Sequence, residues 1–273
     1  MNKNQIIAVS FCALLCIGLY LFTDIKKPKE EIAPVAHEHE AAPVDMLNIE
    51  AYLTQVHKEI TDSAIRQRAS KLFLADSFVA LSELYYKIDK PIAVAYTLIK
   101  QSETEKTATA YLRAGDYCSM LIETAPDEKV HNYLNAQIVQ SYEQAAALDT
   151  ANEKIKLRLA GAYLENSPEP MKGVSMLMAI IDRDSSDIDA LVMLGRFGLV
   201  SGQFDKAIAR LEKVLYLRPQ NSEALLLMAE AYNSKGDKNK AIEYLERCKK
   251  TVTNPELKKE IENHIQSIKK PNG

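Results

Sequence analysis

The chain has 273 residues, 47% hydrophobic and 26% charged, with nine glycines and no tryptophan. Its 34 Lys and Arg against 37 Asp and Glu leave a formal charge of −3 and a pI near 6.0. That balance lacks the basic excess of a nucleic-acid binder, so no nucleic-acid partner is expected, and the Ala/Leu/Glu/Lys-rich composition points to a helical body.

Behind a five-residue tail (1–5), residues 6–23 (IIAVSFCALLCIGLYLFT) carry no charge. As a helix rising about 1.5 Å per residue they span about 27 Å, close to the thickness of a hydrocarbon core. A cleaved signal peptide is the competing reading, but the run is longer than a usual signal core and no small-x-small site follows it before Asp24, Lys26 and Lys27. Neither Cys12 nor Cys16 has a small residue before it, which argues against lipidation. A single-pass anchor is therefore expected. Lys26, Lys27 and Lys29 after the span outweigh Lys3 before it, which leans the body toward the cytoplasm, with an extracytoplasmic body as the alternative.

Residues 24–44 contain Pro28, Pro34 and Pro43 and almost no large apolar side chain, so a disordered linker is expected there. Within it His37, Glu38, His39 and Glu40 have no third and fourth ligand at fixed positions, and no metal is expected.

Ordered structure is expected from Asp45, an N-cap, with Ile49, Leu53, Val56 and Ile60 forming a helical stripe. The helical pattern continues through Ile65, Ala69, Leu72, Val79, Leu81 and Leu84, and leaves open whether 62–86 is one long helix or two short ones. Pro91 opens a further helix carrying Ile92, Ala95, Leu98 and Ile99, so 45–106 reads as irregular helical hairpins. From 107 to 152 a longer hairpin is expected, with Ala110, Leu112, Ala114 and Tyr117 facing Ile138, Tyr142, Ala145 and Leu148 across a loop around Ala125, Pro126 and Asp127. Residues 153–187 form a clearer pair, with Leu159, Ala160 and Tyr163 in one helix and Gly173, Leu177 and Ile180 in the next.

Between Asp187 and Pro255 one pattern is written twice. GQFDKAIARL (202–211) and GDKNKAIEYL (236–245) repeat a turn glycine, a polar stretch and Ala-Ile at an offset of 34 residues (202 to 236). Leu191, Leu194, Gly195 and Gly198 correspond to Leu225, Met228, Ala229 and Tyr232, and Ala207, Leu211 and Val214 to Ala241, Leu245 and Cys248. The pattern resembles the tetratricopeptide repeat (TPR), a helix–turn–helix unit of 34 residues. The resemblance implies an all-α, TPR-type α-solenoid of antiparallel helix pairs over 107–255, preceded by one transmembrane helix. A capping helix and tail (256–273) follow, with the stripe Leu257, Ile261, Ile265 and Ile268. The family's large aromatic at the start of the first helix is absent, with Lys156, Leu191 and Leu225 in its place.

No glycine-rich phosphate loop, H-E-x-x-H, C-x-x-C or G-x-S-x-G occurs, so no catalytic residue, cofactor or small-molecule substrate is expected. The histidines are read as solvated, and Cys118 and Cys248 as small core residues. What the family's architecture implies instead is a groove lined by successive first helices, holding a protein partner. Projecting that face gives Leu157, Arg158 and Gly161, then Val192, Met193, Arg196 and Val200, then Leu226, Leu227, Glu230 and Asn233. Arg158 and Arg196 beside Met193 suggest a partner bearing carboxylates, the alternative being that both pair with acids of their own chain such as Glu165 or Glu230. The family's members that grip a C-terminal carboxylate carry asparagine and lysine where this chain has Gly161, Arg196 and Glu230, which disfavours that mode. The expected role is a membrane-anchored scaffold or adaptor. The alternative is a membrane-bound assembly or chaperone factor, like the TPR domains that hold cytochrome apoproteins.

Overall fold

A computed structural model describes residues 45–270; the expected tail, anchor and linker (1–5, 6–23 and 24–44), the His37 to Glu40 cluster and residues 271–273 lie outside the described residues. Among the described residues there are thirteen α-helices, one 3-10 turn and no strand. In order they are α1 (Ile49–Glu59), α2 (Ser63–Leu74), α3 (Phe78–Lys87), α4 (Pro91–Glu105), α5 (Ala108–Leu121), the 3-10 turn (Ile122–Thr124) and α6 (Glu128–Leu148). Then come α7 (Glu153–Asn166), α8 (Pro170–Arg183), α9 (Ile188–Val200), α10 (Phe204–Leu217), α11 (Ser222–Ser234), α12 (Lys238–Thr251) and α13 (Pro255–Lys269). None of these helices is long and apolar enough to cross a membrane.

Most helices begin where the sequence supplies a short polar side chain that can take up an unsatisfied backbone N–H. Asn48, Asp62, Thr107, Asp127, Asn152, Asp187, Asn221, Asp237 and Asn254 each accept such a bond. Asp45 does not cap α1, contrary to expectation. It pairs with Lys129 at 2.9 Å while Leu47 N donates to the Lys129 carbonyl at 3.2 Å, so the start of the described chain lies along the first turn of α6.

Residues 62–86 form two helices, not one. The break comes at Asp76, whose φ of 49° lies in the left-handed region, and Ser77 N closes the turn on the Leu72 carbonyl at 2.9 Å. The same closure joins α3 to α4 through Asp89 (φ 53°), α9 to α10 through Gly202 (φ 72°) and α11 to α12 through Gly236 (φ 82°). In each, the residue after the left-handed one donates back to a carbonyl in the last turn: Lys90 to Tyr85, Gln203 to Gly198 and Asp237 to Tyr232.

Helices α3/α4, α5/α6, α7/α8, α9/α10 and α11/α12 pack as hairpins, and the second helix of each also packs on the first helix of the next. Among the described residues the buried core forms four clusters, in α1–α4, α4–α7, α7–α9 and α9–α13. Leu177, Leu211 and Leu245 sit fully buried at equivalent places in successive second helices. Hairpins close tightly where a side chain is missing. A Cβ on Gly198 would stand 3.0 Å from that of Ala207, and one on Gly173 would run into the Ala160 carbonyl oxygen. The extra length of the 107–152 hairpin is taken up by the 3-10 turn and a 21-residue α6. Helix α13 buries Ile261, Ile265 and Ile268 and leaves most of its Lys and Glu residues in solvent, closing the stack as a cap does.

Candidate functional site

Helices α5, α6, α7 and α9, with the start of α11, enclose an open groove of about 520 Å³. It is built by repetition. Each first helix starts at a capping residue (Thr107, Asn152, Asp187, Asn221), and the ninth residue beyond the cap is Asp116, Gly161, Arg196 and Glu230 in turn. Neighbouring first helices lie side by side, with α7 on α9 and α9 on α11. Charges from successive repeats therefore meet across the groove.

The floor is apolar, with Leu157, Ala162, Ile188, Val192 and Met193 around Gly161. Gly161 leaves real space, because a Cβ there would touch only the Met193 side chain, at 3.7 Å from Cε. Tyr142, almost fully buried at one edge, donates its hydroxyl to Asp116 Oδ1 at 2.7 Å, and burial pushes its pKa up to about 12. Arg158 pairs with the same Asp116 oxygen. At the other edge Arg196 reaches Glu165 at 3.4 Å and also pairs with Glu223 in the first turn of α11. Asn166 donates to Asn135 Oδ1 at 2.8 Å. Lys154 and Asp189 line the groove and make no ion pair among the described residues.

Of the residues projected from sequence, the structure brings together Leu157, Arg158, Gly161, Val192, Met193 and Arg196. It does not add Leu226, Leu227, Glu230 or Asn233. Leu226 and Leu227 are half-buried against the C-terminal core, Glu230 and Asn233 are exposed farther along α11, and Val200 is exposed at the end of α9. Of α11, the cap Asn221 and first-turn Glu223, which takes Arg196, are the residues that line the groove. For the arginines the structure shows the alternative of pairing within the chain. Both are held by carboxylates of their own chain, so neither stands waiting for a partner's.

The sequence projection did not include Ser119, Ile138, Tyr142, Lys154, Ala162, Asn166, Ile188, Asp189, Asn221 or Glu223 of the lining, nor Asp116, which holds Arg158 and Tyr142. Asp116 was within reach, since carrying the ninth-residue register back one hairpin lands on it. Ile138 and Tyr142 come from a second helix, which the projection left out.

Outside the groove, Cys118 and Cys248 are fully buried and unpaired, and burial pushes the Cys118 thiol up to about 12. His57 is not the solvated residue expected. Its Nε2 lies 2.7 Å from the hydroxyl of fully buried Tyr85, and burial lowers its pKa. No set of three His, Cys, Asp or Glu side chains is placed to hold a metal among the described residues.

These hairpins, caps and turns agree with a match in sequence. Residues 198–259 match the tetratricopeptide repeat family. The peroxisomal targeting signal receptor of Candida albicans is 32% identical over 100 residues, 37% of this chain and 17% of the receptor. The receptor of Debaryomyces hansenii matches to the same extent. The chain thus spans about a sixth of the length of these relatives. Among solved structures, PilW, a widely conserved type IV pilus biogenesis factor, superposes with a TM-score of 0.50 at 16% identity, over 71% of this chain and 93% of that one. That likeness is one of fold. YrrB, a TPR protein with an unusual peptide-binding site, gives a TM-score of 0.45 at 17% identity, over 77% of this chain and 97% of its own. The chain is an all-α, TPR-like helical solenoid.

Proposed function

We propose that this protein is a membrane-anchored scaffold that takes a segment of a partner protein into the groove between α5, α7 and α9. In this reading residues 6–23 are the anchor, 24–44 the stem, and the body faces the cytoplasm. The observation that carries it is the groove's division of labour. An apolar floor of Leu157, Val192 and Met193 lies between two rims whose arginines are already neutralised in place. Such a surface takes apolar side chains without leaving a buried charge unpaired, while Lys154 and Asp189 remain open to fix a partner's register. The similarity of 100 residues to a targeting-signal receptor supports a role in recognising polypeptide.

Filling the groove from within tests this. Gly161→Phe adds a ring at a position where a Cβ meets only Met193, and it replaces a residue that weakens a helix. Partners recovered by crosslinking from membranes are expected to be lost in this variant with the helical melt unchanged, and kept in a Lys258→Glu/Lys259→Glu control on α13. Retention of the same partners by both variants sinks the groove as the binding site.

A further inference from the structure

We infer that α2 is a docking surface for anionic lipid headgroups, an inference that rests on residues 6–23 being a membrane anchor. The helix reads SAIRQRASKLFL, with three cations and no acid. Its Ile65, Ala69, Leu72 and Phe73 face the core of α1, α3 and α4. Ala64, Gln67, Arg68, Lys71 and Leu74, spaced by one, three and four, form the opposite stripe and are all exposed, Leu74 to 84%.

The arginines of this helix have no carboxylate partner among the described residues, unlike four arginines of the repeat array. Arg113, Arg158, Arg183 and Arg196 are each held by a carboxylate of the array. Arg66 donates Nε to the Ile60 carbonyl at 2.9 Å, and Arg68 and Lys71 make no ion pair among the described residues. The acids at the two ends do not cancel them. Asp62 is engaged as the cap of α2, and Asp76 lies beyond its last residue. A cationic stripe ending in one exposed leucine fits the headgroup boundary of an anionic bilayer, where the charges meet lipid phosphates and the leucine meets acyl chain. Two or three cations attract such a surface weakly on their own. Whatever path residues 24–44 take, 21 residues reach at most about 75 Å, so an anchored body never leaves the bilayer and a weak contact becomes populated.

The absence of tryptophan makes the test direct, because Leu74→Trp is the sole indole in the chain. The full-length variant is reconstituted into vesicles of brominated phosphatidylcholine with or without phosphatidylserine. Emission is expected to fall about twofold further with phosphatidylserine, to recover in high salt, and to stay high when Arg68→Glu and Lys71→Glu are added. Val200→Trp, at an equally exposed site on α9, reports the background. Equal quenching in both vesicle types, or quenching that survives the charge reversal, overturns the contact while flotation with the vesicles leaves the anchor standing. A chain that floats with neither removes the anchor, and the inference with it.

Discussion

The hairpins α9–α12 and the hairpins α1–α4 use the same left-handed turn and write it with different residues. At the C-terminal end the turns carry Gly202 and Gly236; at the N-terminal end the matching positions are Asp76 and Asp89. The turn is demanded by the helix pair that must close, and glycine is only the residue that takes it at least cost. A repeat can therefore be present in the backbone and missing from the sequence. The two ends differ in their interiors as well, with an aliphatic C-terminal core against an N-terminal one that includes the Tyr85 ring and its hydroxyl bonded to His57.

Perturbing each kind of contact should separate the two ends. Leu211→Ala, at a fully buried aliphatic site, should lower stability by about 2–4 kcal/mol in thermal or denaturant melts followed by circular dichroism. An unchanged melt would show that Leu211 is not core. Gly173→Ala forces a methyl group onto a backbone oxygen that cannot rotate away and should cost about 1–3 kcal/mol, with the α7/α8 amides losing hydrogen-exchange protection first. Tyr85→Phe should cost about 1 kcal/mol and loosen α1 and α3 but not α11 and α12.

The same site predicts a pH dependence. Burial holds the His57 pKa below 6.5 in the folded protein, so on acidification the unfolded chain takes up this proton first. Its effect on stability is absent above about pH 6.5, grows as pH falls through the lowered folded value, and then levels off. Hydrogen exchange in α1 and α3 should accelerate over that window more than in α11 and α12; equal acceleration would remove His57 as the cause. The smallest effect tests the turn itself. Asp89→Gly should raise the melting temperature slightly, by about 0.5 kcal/mol of stability, and Gly236→Asp should lower it by a similar amount.

The legible part of the fold followed from residues whose chemistry leaves little choice. Gly198 against Ala207, the capping Asp187 and Asn221, and the stripe of Leu211 and Val214 each fit one arrangement, and the structure places them in it. The α2–α3 boundary was illegible because aspartate in a left-handed turn looks like any solvated acid. The groove was half legible for a related reason. Periodicity tells which face of α7 or α9 turns outward, but not that α11 lines the groove through Asn221 and Glu223, nor that the long α6 brings Ile138 and Tyr142 to the edge. Those facts depend on how hairpins stack, and stacking is set by residues far apart in the chain.

The seating of Asp45 to Leu47 on α6 has a mechanical consequence. Tension drawn through the chain ahead of residue 45 meets the Asp45–Lys129 pair, the Leu47 to Lys129 bond and the Asn132 contact to the Asp45 carbonyl before it reaches α1. The load enters the stack at the α5/α6 hairpin and must shear these three contacts together before it can peel the terminal helices one at a time. Helices α1–α3 are thereby spared as long as that clasp holds.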